Sequence, residues 1–458
     1  MLAGALGTLL MIAAPAAPDS AGESARVVAV HEAARVVTLE EAVRAAREHQ
    51  PQLRQAQFGT RAAQSRAAEA RAPLLPQVTA TAGYQRTTGN FIARPGSVPP
   101  NSTGTGGTGT SGGATSTASK LDTFNSFNAS IGVSQLLWDF NQTLDRYRAA
   151  SAQASATEQS ERATALQIVL NARGAFFDAR AQKALFLVAR DTLANQRRHL
   201  EQTQGFVEAG TRPQIDLAQA RSDTATAQVN QINAENAWES SKAALNQAMG
   251  VEGPTDYDVS DDTLPALPGE DQALEALLSE AQKARPELAS LAEQLRADAL
   301  IVQSIEGAYW PALGASAGFT QGGTTLSSLN WNLQAGLNLS WGIFQGGITT
   351  AQVHEAEANL GALQAQLDQV RLQIRVELDQ ARLSVHAGRA SVSATQDGLV
   401  AAKQRLDLAE GRYQTGVGSA IELGDAQVAV TNAAAQVVQS DYRLSTARAQ
   451  LLKALGRQ

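Results

Sequence analysis

The sequence predicts an internally duplicated α+β membrane protein, in which very long helices continue from strands of a transmembrane β-barrel. Three observations predict this fold class: motifs that occur twice in the same order, apolar residues at coiled-coil spacing over many turns, and four segments in which apolar and polar residues alternate. Only 5% of the residues are aromatic, so the composition suits slender helices packed side by side better than one large round core.

The composition also excludes several classes of function. The chain of 458 residues contains no Cys, which excludes disulfides, Cys-ligated zinc and a thiol nucleophile. Its net charge of −7 argues against a nucleic-acid partner held by a basic surface. No nucleophile, acid–base pair or metal-binding motif occurs in a context that would form a cleft. We therefore expect no enzyme activity, no cofactor and no metal.

The first residues predict export from the cytoplasm. Residues 2–17 are apolar and end in Ala14-Pro15-Ala16, a small-residue cleavage site. We therefore assign residues 1–17 to a signal peptide and residues 18–37 to an N-terminal linker. Elsewhere no stretch approaches the ~18 uninterrupted apolar residues of a membrane-spanning helix, so an exported chain would need β-strands to cross a membrane.

The chain contains two related halves. The segment Gln-Pro-Gln-Leu at 50–53 returns as Arg-Pro-Glu-Leu at 285–288, and Pro76 matches Pro311 ahead of the next strand in each half. A period of about 200 residues is too long for a solenoid unit, so it indicates a duplicated subdomain. Each half is predicted as helix, two strands, very long helix and helix. The limits are 38–250 for the first structural repeat, 251–269 for an equatorial linker and 270–458 for the second repeat.

The long helices are predicted by an apolar seam. From Leu360 to Val385 apolar residues step by three and four, as in a coiled coil. The Pro-free stretch of about 345–415 predicts a helix of ~70 residues, which would be ~105 Å long. Its counterpart in the first half covers about 141–209. The shorter partner helices are predicted over about 52–72, 213–249, 287–308 and 419–455.

Four segments of period two predict the barrel strands, at about 77–88, 122–138, 312–321 and 329–343. Their apolar faces would meet lipid and their small, uncharged polar faces a lumen, and Trp138, Trp331 and Trp341 would lie at the membrane interfaces. Four strands cannot close a barrel, and an open edge is not tolerated in lipid, so several chains must contribute. Two chains would give eight strands and three would give twelve. The Gly/Ser/Thr-rich stretch at about 95–120 would form an external loop.

At this point the chain resembles the TolC-type outer membrane efflux proteins, also called outer membrane factors, over about 38–456. The resemblance rests on Pro-Gln-Leu at 51–53, Ala-Pro-Leu-Leu-Pro-Gln at 72–77, and Tyr-Gln-Thr-Gly at 413–416 followed by Glu422 and Asp425. It implies a homotrimer with a 12-stranded barrel in the lipid of the cell outer membrane and an α-helical tunnel in the periplasm. It also implies a periplasmic adaptor (membrane fusion) protein and an inner-membrane pump of RND or ABC type as partners.

The resemblance further assigns roles to the two turns at 205–216 and 411–425, which we call the tip turns. Glu422 and Asp425 would ring the narrowest point of the tunnel, although acidic residues are also favoured near any helix N-terminus by the helix dipole. Asp216 and Tyr413 would belong to the closed gate. The residues expected to contact the adaptor are Gly210, Thr211, Arg212, Gly416, Val417 and Gly418. One departure is that the family's gate Arg is Gly418 here, whereas Arg212 takes the equivalent place in the other half.

Two other functions stay open on the sequence alone. The same fold would suit the exit duct of a type I protein secretion system. A structural periplasmic coiled-coil protein is a weaker alternative, because it leaves the four alternating strands without a purpose. The exported substrate is not encoded in the duct, which receives what its pump selects.

Overall fold

A computed structural model describes residues 35–88 and 123–457 of the chain. The predicted signal peptide and the predicted external loop lie outside these described residues. The elements, in chain order, are β1 (Arg35–Val37), α1 (Leu39–His49), α2 (Pro51–Arg71), a 3₁₀ turn (Ala72–Leu74), β2 (Gln77–Thr88), β3 (Thr123–Trp138), α3 (Gln142–Glu208), α4 (Gln214–Met249), β4 (Tyr257–Val259), α5 (Leu274–Ala284), α6 (Pro286–Gly307), β5 (Ala312–Gly323), β6 (Asn330–Ser340), α7 (Ile348–Gln414) and α8 (Ala420–Ala454).

The helices α3 and α7 are the longest elements, with 67 residues each, or ~100 Å at 1.5 Å per residue. The α7 seam buries Leu367, Ile374 and Leu378 against α6 and α8. Both helices are followed by a left-handed glycine, Gly210 with φ +71° and Gly416 with φ +79°. Glycine is favoured there because a β-carbon is strained at positive φ. None of the described helices is both long enough and apolar enough to cross a membrane.

The shorter helices cover the long ones in two tiers. Next to the sheet the packing order is α2, α3, α6 and α7, and at the opposite end it is α4, α3, α8 and α7. Hydroxyl contacts fix neighbours closely: Ser290 of α6 donates to the Ala156 carbonyl of α3 at 2.9 Å. In both tiers of the described chain the outermost helices have a neighbour within the layer on one side only. These helices are α2 and α4 at one edge and α7 at the other.

The strands β2 to β6, without the short β4, form one antiparallel sheet of order β2-β3-β5-β6. Polar residues pair across it, for example Thr81 with Ser130, whose hydroxyl oxygens are 2.7 Å apart. The fourth strand is shorter than the sequence predicted, because it ends at Ser340. Gly346 and Gly347, both at positive φ, then turn the chain into α7. Trp341 therefore follows the strand instead of belonging to it.

Around the middle of the long helices lies an equatorial belt, formed by residues 35–49 and 250–285. The predicted N-terminal linker ends in a strand, because β1 pairs in parallel with β4 of the linker between the two halves. Val37 and Val259 pack there on Phe176 and Phe177 of α3. The Glu270 carboxylate accepts hydrogen bonds from Arg389 and Arg448 and thereby fastens the belt to α7 and α8.

Candidate gate at the tip turns

The first tip turn is shaped by its own backbone and one hydroxyl. The Thr211 N–H and hydroxyl both donate to the Phe206 carbonyl at 2.9 Å, so the chain reverses tightly after α3. In the second turn the Gly418 N–H donates to the Arg412 carbonyl at 2.8 Å. A β-carbon at position 418 would lie 2.9 Å from the backbone N of Tyr413. The turn therefore has no room for an arginine at this position unless its backbone moves.

Arg212 joins the two tip turns within the chain. Its Nη2 donates to the Tyr413 carbonyl at 3.1 Å and to the Gly418 carbonyl at 3.2 Å. The guanidinium carbon lies 4.4 Å from the centre of the Tyr413 ring, which is cation–π geometry. The Asp216 carboxylate lies 4.0 Å from Nη1 of Arg212. The structure thus brings together Arg212, Asp216, Tyr413 and Gly418.

Tyr413 is the buried centre of this arrangement. Its ring packs with Ala409, Leu423 and Ala426, and its hydroxyl is 3.4 Å from that of Thr203. The His199 ring packs against the Tyr413 ring in a T-shaped arrangement, with 5.3 Å between ring centres. Because the contact between Thr203 and Tyr413 joins residues 210 positions apart, only a three-dimensional arrangement reveals it.

His199 and Thr203 were missed by sequence reasoning. Burial lowers the pKa of His199, although the carboxylates of Asp223 and Asp216 work in the opposite direction. The signal that would have pointed to them is their spacing with Phe206 on α3. Steps of four and three residues place all three on one helix face.

The two acidic residues expected at the constriction differ in their surroundings. The Ser419 hydroxyl caps α8 by accepting the Glu422 N–H at 3.1 Å, so Glu422 lies in the first turn of the helix. Its carboxylate is 3.5 Å from Nη1 of Arg412. Asp425 is exposed one turn later and forms no ion pair with any described residue. The two carboxylates share a helix face, but within the described chain only Asp425 is uncompensated.

A polar cavity of about 240 Å³ lies beside Tyr413, between α3, α7 and α8. Its titratable lining residues are Arg198, His199, Asp407 and Glu410. No cluster of three or more His, Asp or Glu residues in the described part of the chain is arranged to hold a metal ion. The cavity has the size and polarity for water.

At the other end of the molecule, tryptophans mark both ends of the sheet. Trp331 lies near the start of β6 and stacks on Phe319. Trp138 lies at the end of β3, next to Phe140, which stacks on Trp310 at 5.3 Å. Sequence reasoning missed Phe140 and Trp310, since they lie outside the alternating segments.

Comparison with known proteins gives concordant matches. The profile of the family described as outer membrane efflux protein matches residues 42–251 and 277–457. The outer membrane protein TolC of Escherichia coli is 25% identical over 446 residues, covering 90% of this chain and 80% of that protein. The toluene efflux pump outer membrane protein TtgC of Pseudomonas putida is 24% identical over 381 residues, covering 78% of this chain and 74% of that protein.

Solved structures match along almost the whole chain. The crystal structure of the Campylobacter jejuni CmeC outer membrane channel superimposes with a TM-score of 0.77 at 18% identity, covering 91% of this chain and 85% of that one. At this identity the match concerns the fold: a strand-rich end continued by long paired helices.

Proposed function

Since the chain belongs to the outer membrane efflux protein family, and is thereby the channel subunit of an outer membrane efflux system, we propose that three copies build a passive exit duct for substrates. In that family the fold is a shared barrel continued by a helical tunnel. The chain's barrel end lies in the outer membrane and its helices in the periplasm. A periplasmic adaptor and an inner-membrane pump, of RND or ABC type, would deliver the substrate.

The proposal rests on one observation. In the described chain the sheet has two edges without a neighbouring strand, the helix layer has two edges without a neighbouring helix, and these edges lie on the same two sides of the chain. The described sheet ends at β2 and β6, and the helix layer ends at α2 and α7. Unpaired backbone groups at a sheet edge cost several kcal/mol each in hydrocarbon. Joining β6 of one copy to β2 of the next removes this cost, and three copies of four strands give twelve. A purely structural coiled-coil protein would not need such a sheet.

The helix edges carry the apolar surface that such a closure would bury. On α7 the side opposite the buried seam exposes Leu372, Val376 and Leu383. On α2, Phe58 is 63% exposed, and on α4 Val229 is exposed on the side away from α3. Large exposed side chains in a row on one helix face are typical of a coiled-coil partner surface.

The register between neighbouring copies follows from the duplication. Arg285, at the start of α6, donates to Glu377 at 2.7 Å, so α6 begins level with residue 377 of α7. Pro51 begins α2 as Pro286 begins α6, which supports the same level for α2 of the next copy. Ten residues from that level towards the sheet, or ~15 Å at 1.5 Å per residue, α2 reaches Arg61 and α7 reaches residue 367.

This register brings side chains of complementary chemistry to matching levels. Phe58 of one copy comes within about one helical turn of Leu372 of the next, and Arg61 comes beside Asp368. Arg61 has no ion pair within the described part of its own chain, and Asp368 has only its helix neighbour Arg371 there. We therefore place the apolar pair and the charged pair at the subunit interface.

The gate is proposed at the tip turns. Arg212 would hold the closed tip by bonding the two carbonyls of the second turn, in place of an arginine at position 418. Glu422 and Asp425 would line the constriction when three copies meet, and the outward ends of the turns would contact the adaptor. Movement of one turn relative to the other breaks the Arg212 contacts, which gives the adaptor a means of opening the duct.

The test is a measurement of mass and conductance on the full chain. We expect a trimer in mild detergent and ion-conducting channels in planar bilayers. A folded monomer of native mass would contradict the closure by three copies, and a trimer that never conducts, even with Arg212 replaced, would contradict the duct.

A further inference from the structure

A groove on the equatorial belt collects arginine side chains that have no acidic partner in the described chain. It has a volume of about 770 Å³ and lies between α1, α3 and residues 262–265 of the linker. Arg44 and Arg47 of α1 and Arg173 of α3 line it. Within the described ranges, none of these three guanidinium groups donates a hydrogen bond or forms an ion pair.

Other arginines in or beside the belt are compensated. Five of them lie in ion pairs with a carboxylate of the chain, and they are Arg180, Arg285, Arg389, Arg448 and Arg457. These neighbouring arginines are neutralised by carboxylates, whereas the three arginines of the groove are not neutralised by any described residue.

Arg173 is the most unusual of the three. Its Nε is out of contact with solvent and has no acceptor in the described structure. Burial lowers its pKa, and the like charge of Arg47 lowers it further. A buried donor without an acceptor, next to a second positive charge, is unfavourable unless a ligand supplies the missing negative charge.

The two acidic residues of the groove do not fill this role. The Asp262 carboxylate accepts the Leu39 N–H at 3.0 Å at the start of α1. Its pKa is lowered chiefly by that bond and further by the nearby guanidinium group of Arg180. Glu40 is exposed in the first turn of α1, where the helix dipole favours an acid. Three arginines therefore face two carboxylates, of which one is already bonded.

We propose that Arg44, Arg47 and Arg173 bind an oxyanion, the carboxylate or phosphate group of a periplasmic ligand. A guanidinium presents paired N–H donors whose spacing matches two oxygens of such a group. An oxyanion between Arg47 and Arg173 would accept from the terminal N–H groups of both guanidinium groups and separate the two positive charges. The proposal rests on the groove alone and is independent of the channel function.

The experiment is calorimetric titration of the full chain in detergent with two probes, inorganic phosphate and succinate. Sodium chloride keeps the ionic strength constant, so charge screening is the same in every titration. The variants are Arg47→Gln, which changes an exposed side chain, and Arg173→Gln. The matched control is Arg66→Gln, an exposed arginine of α2 outside the groove. Circular dichroism checks that each variant is folded.

We expect at least one probe to bind the parent and the control equally, and to bind each groove variant about 10- to 100-fold more weakly, as loss of a charged hydrogen bond predicts. Binding of phosphate alone would identify a phosphate ligand, and binding of succinate as well a carboxylate ligand. If neither probe binds, or if Arg47→Gln binds like the parent, the groove is not an oxyanion site. Arg47→Gln decides the matter if Arg173→Gln does not fold.

Discussion

Replacing Arg212 by Ala should open the resting duct. The substitution removes two hydrogen bonds to the carbonyls of Tyr413 and Gly418 and the stacking on the Tyr413 ring. The Arg212 side chain is only 17% exposed, so water replaces these contacts poorly. Charged hydrogen bonds contribute about 1.5–3 kcal/mol each. With partial compensation by water, we expect a loss of about 3 kcal/mol per chain, or roughly a hundredfold change in the equilibrium between closed and open tip.

The assay is single-channel recording in planar bilayers. Arg212→Ala should raise the resting conductance, and Arg212→Lys should behave similarly, because an ammonium group lacks the planar paired donors. Arg221→Ala, an exposed arginine of α4 away from the turns, is the matched control and should conduct like the parent. If Arg212→Ala stays as closed as the parent in trimers of normal mass, the arginine does not hold the tip.

Three further predictions concern the tip turns and the neighbouring His199. Divalent or trivalent cations added from the periplasmic side should block conductance. Asp425→Ala should weaken this block more than Glu422→Ala, because Arg412 already compensates the charge of Glu422. Equal block in both variants and the parent would show that these carboxylates do not line the constriction. Gly418→Ala should raise resting conductance without dissociating the trimer, since the added β-carbon would lie 2.9 Å from backbone. Thermal unfolding and mass measurement distinguish opening of the gate from loss of the trimer. A variant that stays closed would show that the turn adapts to the added β-carbon. Because the pKa of His199 is lowered in the folded chain, the unfolded chain binds the proton at a higher pH, and the stability of the fold should decrease as the pH drops below about 6.5. Denaturation curves should show that His199→Gln loses part of this pH dependence. An unchanged pH profile in the variant would show that His199 contributes nothing to it.

The elements that sequence patterns predicted well are those with long signals. The seam from Leu360 to Val385 marks α7, because few structures other than a helix repeat apolar residues at this spacing over many turns. Alternation marks the sheet strands in the same way. The end of the fourth strand was predicted three residues too far along the chain. Alternation continues to Trp341 and Ile343 in the sequence, whereas the backbone already turns towards α7.

Short or non-local features escaped sequence reasoning. The strands β1 and β4 have three residues each, which is too few for any periodicity, and they form only because distant segments meet. The partners of Arg212 lie 201 and 206 residues further along the chain. They accept through backbone carbonyls, which every residue has, so no sequence pattern marks them. The duplication did indicate Arg212 as the counterpart of position 418, but it gave no sign of its partners.

The central claim is that α7 of one copy closes against α2 of the next to form a duct of three subunits. The most direct test is oxidative crosslinking of the double variant Phe58→Cys/Leu372→Cys, in a chain that otherwise has no Cys. We predict covalent dimers and trimers on denaturing gels. We predict none for Phe58→Cys/Leu383→Cys, whose second site lies about 11 residues, or ~16 Å, further along α7. Crosslinking of the second pair but not of the first, or of neither pair in assembled trimers, would contradict the closure of α7 against α2.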